Sequence, residues 1–177
     1  DVVIPALCTV TAPDEVPPVP FVTISELTIP AGESSVEGDV LQGEPVTEEF
    51  AATGIPGARL VLARTDIAHG SIGVLVSGAE WTEVDHFVES ESSDTHYLVT
   101  TDGADNVSIL FGDGKYGAYP PGGRNISVSY LATLGSGGNL APHRITETLT
   151  TIYTPGGDIA RISADNPIAA TGGADRE

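Results

Sequence analysis

The glycine-rich segment Gly112–Gly117 reads Gly-Asp-Gly-Lys-Tyr-Gly and has the G-x-G-x-x-G spacing of a dinucleotide-binding loop. In such a loop a helix opens behind the glycines, so that its N-terminus faces the pyrophosphate. The six residues that follow here are Ala-Tyr-Pro-Pro-Gly-Gly, which cannot form a helix. Asp113 would in addition repel a phosphate. The segment therefore predicts a tight loop that needs glycine conformations, and not a nucleotide site.

A second glycine cluster, Gly135–Gly138, reads Gly-Ser-Gly-Gly. A phosphate-binding loop requires Lys-Ser or Lys-Thr next, because these residues hold the phosphates and the metal ion. Neither pair follows here. This cluster therefore predicts a turn between two strands.

Aspartates are the residues of this chain that are best suited to a metal. Those considered for calcium are Asp94, Asp102, Asp105 and Asp113. Calcium takes six or more oxygen ligands, but the D-x-D-x-D-G spacing of a calcium loop is absent around them. We interpret these residues as turn formers, and a calcium site assembled across loops stays an alternative.

The other residues that could carry chemistry are isolated from one another. The histidines are His69, His86, His96 and His143, and none has the pairing or the neighbouring cysteine of a zinc site. Cys8 is the single cysteine, which excludes an intrachain disulfide, and no serine lies in a G-x-S-x-G elbow. Paired glycosidase carboxylates could be hidden among the 25 acids, but their abundance makes this uninformative. We predict no enzyme, no cofactor and no metal site.

The charge balance restricts the partners of the chain. Among 177 residues, 25 acids face 7 lysines and arginines, which gives a net charge of −18. Too few basic residues are present for a stripe that would neutralise nucleic-acid phosphates or bind an anionic membrane. The longest apolar runs, Leu60–Ala63 and Val74–Val76, are far too short to span a bilayer. Neither nucleic acid nor a membrane is therefore an expected partner.

The hydrophobic pattern favours strands over helices. Residues 126–130 alternate strictly between apolar and polar side chains, as in a half-buried strand. Apolar residues also share one face in 72–76 and in 107–111. Further strand candidates lie at 60–63, 97–100 and 145–153. We predict a mainly β fold of antiparallel strands, with loops rich in Gly, Pro and Asp and few short helices.

Two segments are harder to assign from the pattern. The apolar phase slips by one residue between Val22–Ile24 and Leu27–Ile29, which predicts a β-bulge at Ser25 and Glu26. In the segment Trp81–Val88 the apolar spacing fits one or two helical turns and the β-branched residues fit a strand, so the segment stays undecided.

Proline-rich and glycine-rich segments indicate three parts. We predict an N-terminal arm at 1–20, a β-rich core domain at 21–153, and a connecting segment at 154–177. Asp175 has the features of a helix N-cap near the end of the printed sequence. We therefore expect the chain to be a fragment that leads into a further C-terminal part.

Three blocks of sequence, taken together and in order, resemble one known family. Phe111 opens an F-G-D-G-x-x-G-x-x-P-P-x-G block with an I-x-V-x-Y strand after it, then come a G-x-G-G-N turn and an N-P-x-x-x-x-G-G-A-D block. These are similar to the baseplate J-like family, the wedge proteins of contractile phage tails and of related contractile injection systems such as phage-tail-like bacteriocins. The residues that carry the resemblance are Phe111, Gly112, Asp113, Gly114, Gly117, Pro120, Pro121, Gly122, Tyr130, Gly135, Gly138, Asn139, Asn166, Pro167, Gly172, Gly173 and Asp175. Weaker similarity upstream includes Ile4-Pro5-Ala6, although Leu7-Cys8 stands where that family has Gly-Thr.

The resemblance implies a structural role in the virion. Such subunits associate with copies of themselves and with other baseplate wedge and hub proteins, forming a ring around the central hub at the tail tip. They are assembled in the host cytoplasm, and they rearrange when the tail attaches to a host. No catalytic residue is carried over by the resemblance.

Two other classes of protein share the richness in Gly, Asp and Thr. One alternative is a carbohydrate- or calcium-binding β-sandwich module of a secreted adhesin. A glycan hydrolase with two acids in a cleft is a further alternative from the enzyme class.

Overall fold

In the computed structural model, which describes residues 1–174, the chain is nearly all β. The described residues form fifteen strands and one 3₁₀ turn, at Gly135–Gly138. They group into two compact units, one comprising Val46–Ala132 and the other comprising Asp1–Pro45 together with the chain from Thr133 onward. The predicted mainly β fold of antiparallel strands is confirmed.

The unit Val46–Ala132 is built on a seven-stranded sheet that curls into a half-barrel. Its strands are β6 (Glu44–Ala51), β7 (Arg59–Val61), β8 (Gly73–Val76), β9 (Ala79–Glu83), β10 (His96–Thr101), β11 (Val107–Phe111) and β12 (Asn125–Ala132), in the spatial order β6-β12-β8-β9-β10-β11-β7. The β9–β10 pair is parallel. Antiparallel pairing joins β12 to β8, β8 to β9, β10 to β11 and β11 to β7.

The core of this unit is built from apolar residues that alternate along its strands, as the sequence predicts. Val107, Ile109 and Phe111 of β11 are all buried, as are Ile126 and Val128 of β12. The Trp81 ring meets the Phe111 ring edge to face, with centroids 5.2 Å apart. The undecided segment is therefore a strand as far as Glu83, with Trp81 on its inner face.

The other unit is assembled from both ends of the chain. Its strands are β1 (Val2–Ile4), β2 (Thr9–Ala12), β3 (Val19–Thr23), β4 (Leu27–Ile29), β5 (Val40–Gln42), β13 (Glu147–Thr148), β14 (Ile152–Tyr153) and β15 (Ile159–Ala160). A four-stranded sheet has the order β13-β2-β3-β5, and β1–β4 and β14–β15 are two-stranded. Val10, Phe21 and Ile145 form one small core, and Ile4, Cys8 and Ile152 form another.

One expectation about the N-terminal strands is wrong. The slip of apolar phase at Ser25 and Glu26 is not a bulge, because β3 ends at Thr23 and β4 starts at Leu27 in a different sheet. The chain changes sheets between the two strands. A β-bulge and a change of sheet both shift the apolar phase by one residue, so the sequence pattern alone does not distinguish between them.

The ends of the chain are part of this second unit. Residues 1–20, predicted to be an arm, include β1 and β2, and the proline-rich segment 13–20 is mainly the connection of the β2–β3 hairpin. The segment from 154, predicted to connect to a further part, contains β15 and forms a bridge between Ala170 and Leu140.

Candidate functional site

The first motif block forms a closed loop, Gly112–Gly117, which we call the motif loop. A Cβ at Gly112 would lie 2.2 Å from the carbonyl oxygen of Gly117, so only glycine fits there. Gly114 and Gly117 have φ of +86° and +78°, a conformation that side chains disfavour. The N–H of Gly114 donates to the Gly117 carbonyl at 2.9 Å and closes the loop. The prediction of a tight loop that needs glycine conformations is confirmed.

Asp113 stabilises the motif loop from inside. Its Oδ1 accepts the backbone N–H groups of Lys115 and Tyr116, both at 2.8 Å. These two hydrogen bonds favour the carboxylate and lower the pKa of Asp113 below its ordinary value. The ammonium of Lys115 lies over the Tyr116 ring, 4.6 Å from its centroid. Asp113 therefore serves to hold the loop in shape.

Backbone hydrogen bonds fasten the motif loop to two neighbouring segments. The N–H of Gly117 donates to the Glu91 carbonyl at 3.2 Å, and the next N–H, of Ala118, donates to the Asp94 carbonyl at 2.8 Å. On the other side the Gly57 N–H donates to the Gly112 carbonyl at 2.9 Å. The loop is thus a fixed part of the surface of this unit.

The prolines of the same block lead into a second turn. Pro120 is buried and Pro121 is exposed, and the Pro121 carbonyl accepts the N–H of Arg124 at 3.3 Å. Gly122, within the turn, would bring a Cβ within 3.4 Å of the Thr53 carbonyl oxygen. This turn delivers the chain to β12.

Tyr130, the last residue of the block's strand, is buried and donates its hydroxyl to the Glu48 carboxylate. Burial, and then this hydrogen bond, raises the pKa of the Tyr130 phenol. Glu48 also accepts the backbone N–H of Ala63, at 3.0 and 3.2 Å from its two oxygens. Glu48 lies on β6 and Ala63 just follows β7, so one side chain links the two end strands of the half-barrel.

The second motif block ends at Asn139 and the third begins at Asn166, yet the two form one structure that we call the clasp, residues 135–145 with 166–173. Asn139 Nδ2 donates to the Gly173 carbonyl, and Asn139 Oδ1 accepts the Gly173 N–H, both at 2.9 Å. Leu140 and Ala170 exchange two backbone hydrogen bonds beside them. A Cβ at Gly173 would meet the Gly135 carbonyl oxygen at 2.2 Å, so the two glycine segments touch directly.

Asn166 supplies the other half of the clasp. Its Oδ1 accepts the N–H groups of Arg144 and Ile145, at 2.8 and 2.9 Å. Its Nδ2 donates to the carbonyls of Ala141 and Ile168, at 3.0 and 2.9 Å. One amide side chain therefore satisfies four backbone groups and uses its full hydrogen-bonding capacity.

The glycine turn of the clasp is an ordered 3₁₀ turn. Gly138 is buried, and a Cβ there would lie 2.6 Å from Cγ of Gln42. Gln42 Oε1 accepts the hydroxyl of Thr133 and the N–H of Leu134, both at 2.8 Å. In the last block Pro167 is exposed, Gly172 has a φ of +96°, and Asp175 lies outside the described residues.

The carboxylates considered for calcium lie in separate loops. Asp94 accepts the N–H of Glu91 at 2.8 Å, and Asp102 Oδ1 accepts the N–H groups of Ala104 and Asn106. Hydrogen bonding, first from the Asn106 side chain, lowers the pKa of Asp102. Asp105 has a φ of +62° in the same turn. Within residues 1–174 no three His, Cys, Asp or Glu side chains gather into a group that could hold a metal ion.

The remaining candidates take part in local contacts. His96 Nδ1 lies 2.8 Å from Ser90 Oγ, and His143 Nδ1 lies 2.8 Å from Asp165 Oδ1. Cys8 is buried, and burial raises the pKa of its thiol while a hydrogen bond with Thr150 acts in the opposite direction. The described part of the chain contains no helix long and apolar enough to cross a membrane.

Two features of the unit Val46–Ala132 were not predicted from the sequence. Glu48 lies on the same face of β6 as Val46 and Phe50, which is the half-buried face. An acid among apolar residues on that face is a pattern in the sequence that could have indicated a role for Glu48. The second feature is an open hollow of about 480 Å³ beside the motif loop. It is lined by Gly57, Phe87, Val88, Leu110, Phe111, Asp113 and Tyr116.

Comparison with profiles of known families gave no match for this chain, and a search of the curated proteins gave none either. The resemblance to the baseplate J-like family stays a prediction from the motif blocks of the sequence.

Proposed function

We propose that this chain is a structural subunit of a phage tail baseplate wedge. It assembles with copies of itself and with other wedge and hub proteins into the ring around the central hub, and it transmits conformational change when the tail attaches to a host. The site of action is the virion, after assembly in the host cytoplasm.

The observation that supports this proposal is that the motif residues stabilise loops. The side chains of Asp113, Asn139 and Asn166 each form hydrogen bonds with backbone groups of a loop. Gly112 and Gly173 are required by close approach of backbone to backbone. The blocks that resemble the family thus build loops held by hydrogen bonds, which supports a role in presenting contacts to neighbouring subunits.

The test is to purify the particle or complex that contains the full-length chain, through an affinity tag on that chain, and to determine its symmetry by electron microscopy. We expect a closed, rotationally symmetric ring at the end of a tail, with tail proteins in the same preparation. A particle that lacks such a ring contradicts the proposal.

The adhesin alternative gives a different result in the same preparation. A monomer that binds sugar or calcium, with a melting temperature that rises on adding calcium and falls on chelation, would replace the baseplate proposal. Hydrolysis of a host polysaccharide by the purified chain would instead favour the hydrolase alternative.

A further inference from the structure

The hollow beside the motif loop is an apolar surface that this unit leaves uncovered. Phe111 forms its buried floor, while Val88 and Tyr116 on its walls are 77% and 44% exposed. Exposed apolar side chains that converge on a concave surface are typical of an interaction site.

The walls of the hollow are held in place before any partner arrives. The hydrogen bonds from Gly117 to the Glu91 carbonyl and from Gly57 to the Gly112 carbonyl join the motif loop to both neighbouring segments. Asp113 holds the tip of the loop from within. A partner would therefore bind without ordering these backbones, which lowers the entropic cost of association.

The charge around the hollow defines the partner. The segment that carries Phe87 and Val88 holds five acids, Glu83, Asp85, Glu89, Glu91 and Asp94, and Asp113 lies in the lining. The nearby cations are Lys115 on the motif loop and Arg59, which pairs with Leu110 across β7 and β11. Glu89 and Glu91 are exposed and close to Val88 in the chain, and Asp113 is exposed in the lining, so the same acidic surface of a second copy is disfavoured as the occupant of this hollow.

We propose that this hollow binds an extended segment of a basic protein, with an aliphatic side chain in the hollow and flanking arginines or lysines against the acidic segment 83–94. This inference rests on the proposed function in one respect, which is that the partner is a neighbouring subunit. Its test measures binding directly, so that its failure and the failure of the proposed function are distinguishable.

The probe is an acetylated peptide of nine residues with a Val-Leu-Val centre and arginines on both sides, and two matched peptides serve as controls. One control replaces the arginines with glutamates, and the other replaces the apolar centre with serines. The ¹⁵N-labelled chain is titrated with each peptide and amide shifts are followed by NMR. We expect the basic apolar peptide to shift the amides of Gly57, Val88, Asp113 and Tyr116, and to bind at least about tenfold more tightly than either control.

Matched variants separate the apolar part of the site from its charge. Val88→Ser is expected to weaken binding of the peptide about tenfold, while Val16→Ser, at an even more exposed valine of the other unit, leaves the affinity unchanged. The pair Glu89→Gln with Glu91→Gln is expected to weaken binding and to flatten its salt dependence, whereas Glu33→Gln with Glu37→Gln changes neither.

Three results would overturn the proposal. The first is equal binding of the three peptides, and the second is an equal effect of Val88→Ser and Val16→Ser. The third is a concentration-dependent dimer of the chain that Val88→Ser abolishes, which would assign the hollow to a second copy.

Discussion

At the scale of single residues, short polar side chains that bond the backbone carry much of the irregular structure. Asp113, Asn139 and Asn166 each satisfy two or more N–H or C=O groups that have no strand partner. Because loop backbone must find partners as strand backbone does, replacing these side chains loosens a loop without removing a core residue.

Asp113→Ala is expected to loosen the motif loop, because the N–H groups of Lys115 and Tyr116 lose their shared acceptor. Hydrogen exchange at these two amides measures the effect, and Asp113→Asn, which keeps an acceptor oxygen, is the control. In the wild-type chain the lowered pKa means that this protection is complete above the ordinary carboxyl pKa of 3.8 and is lost as the pH falls through the folded value. Unchanged exchange in Asp113→Ala would contradict the role given to this carboxylate.

Tyr97 makes unfolding sensitive to alkaline pH. Burial, and then Glu83 and Glu80, raises its pKa from 10.0 to about 12, and its hydroxyl donates to the Ile72 carbonyl at 2.8 Å. The contribution of the neutral phenol to stability is expected to be complete below pH 10 and to be lost as the pH rises toward 12.

Urea unfolding of wild type and of Tyr97→Phe between pH 9 and pH 12 measures this loss. The variant is expected to lose less stability than wild type over that interval. The pKa of Tyr130 is also raised, so ionisation of Tyr130 is expected to cause the loss of stability that the variant still shows. Parallel curves for the two proteins would show that Tyr97 ionises as readily in the folded state as in the unfolded one.

At the scale of elements, two links hold segments that are distant in the sequence. The clasp joins the 3₁₀ turn to the chain around Gly173, and Glu48 joins β6 to Ala63, just beyond the end of β7. An inward-facing acid on an end strand also discourages that strand from pairing with another molecule.

Asn166→Ala is expected to open the clasp and to destabilise its unit by about 1–3 kcal/mol, because four backbone groups lose their partner. Urea unfolding gives the change in free energy, and hydrogen exchange at Arg144 and Ile145 localises it. Asn166→Asp keeps the acceptor oxygens and is expected to lie between wild type and Asn166→Ala. Equal stability of all three would contradict the clasp as a stabilising structure.

Glu48→Val is expected to destabilise the half-barrel by about 1–3 kcal/mol, because the Tyr130 hydroxyl and the Ala63 N–H lose their acceptor. It also places a third apolar residue beside Val46 and Phe50 on an end strand, which is expected to increase aggregation. Urea unfolding and light scattering measure the two effects, with Glu48→Gln as the control that retains an acceptor. Light scattering that does not increase in Glu48→Val would argue against a protective role for this acid.

At the scale of the whole molecule, the net charge of −18 dominates the encounter with any partner. Opposite charge on a partner speeds association and excludes acidic competitors, and salt weakens both effects. The proposed function therefore makes the acidic surface a determinant of which subunits assemble.

Moderate salt is expected to dissociate the complex that contains this chain. Raising the ionic strength from about 0.01 M to about 0.15 M shortens the screening length from about 30 Å to about 8 Å, so surface attraction weakens across that range. Sedimentation of the purified complex against salt concentration measures it. Assembly that is insensitive to salt would indicate apolar contacts instead.

Local patterns in the sequence determined the β fold and the conformation of its turns. Alternation with period two marks 107–111 and 126–130 as strands because it matches the two faces of a sheet, and Gly112 and Gly114 mark a tight loop because other side chains do not fit. These features depend on neighbouring residues alone, and for that reason they were predictable.

Only the tertiary structure decided which distant residues meet. Nothing local pairs Asn139 with Gly173, or directs Glu48 to both Tyr130 and Ala63, because non-local contacts are selected by the packing of whole sheets. The change of sheet between β3 and β4 was misjudged for the same reason, since its local pattern equals that of a bulge. The hollow beside the motif loop exists because three separate segments converge there, and no one of them encodes it.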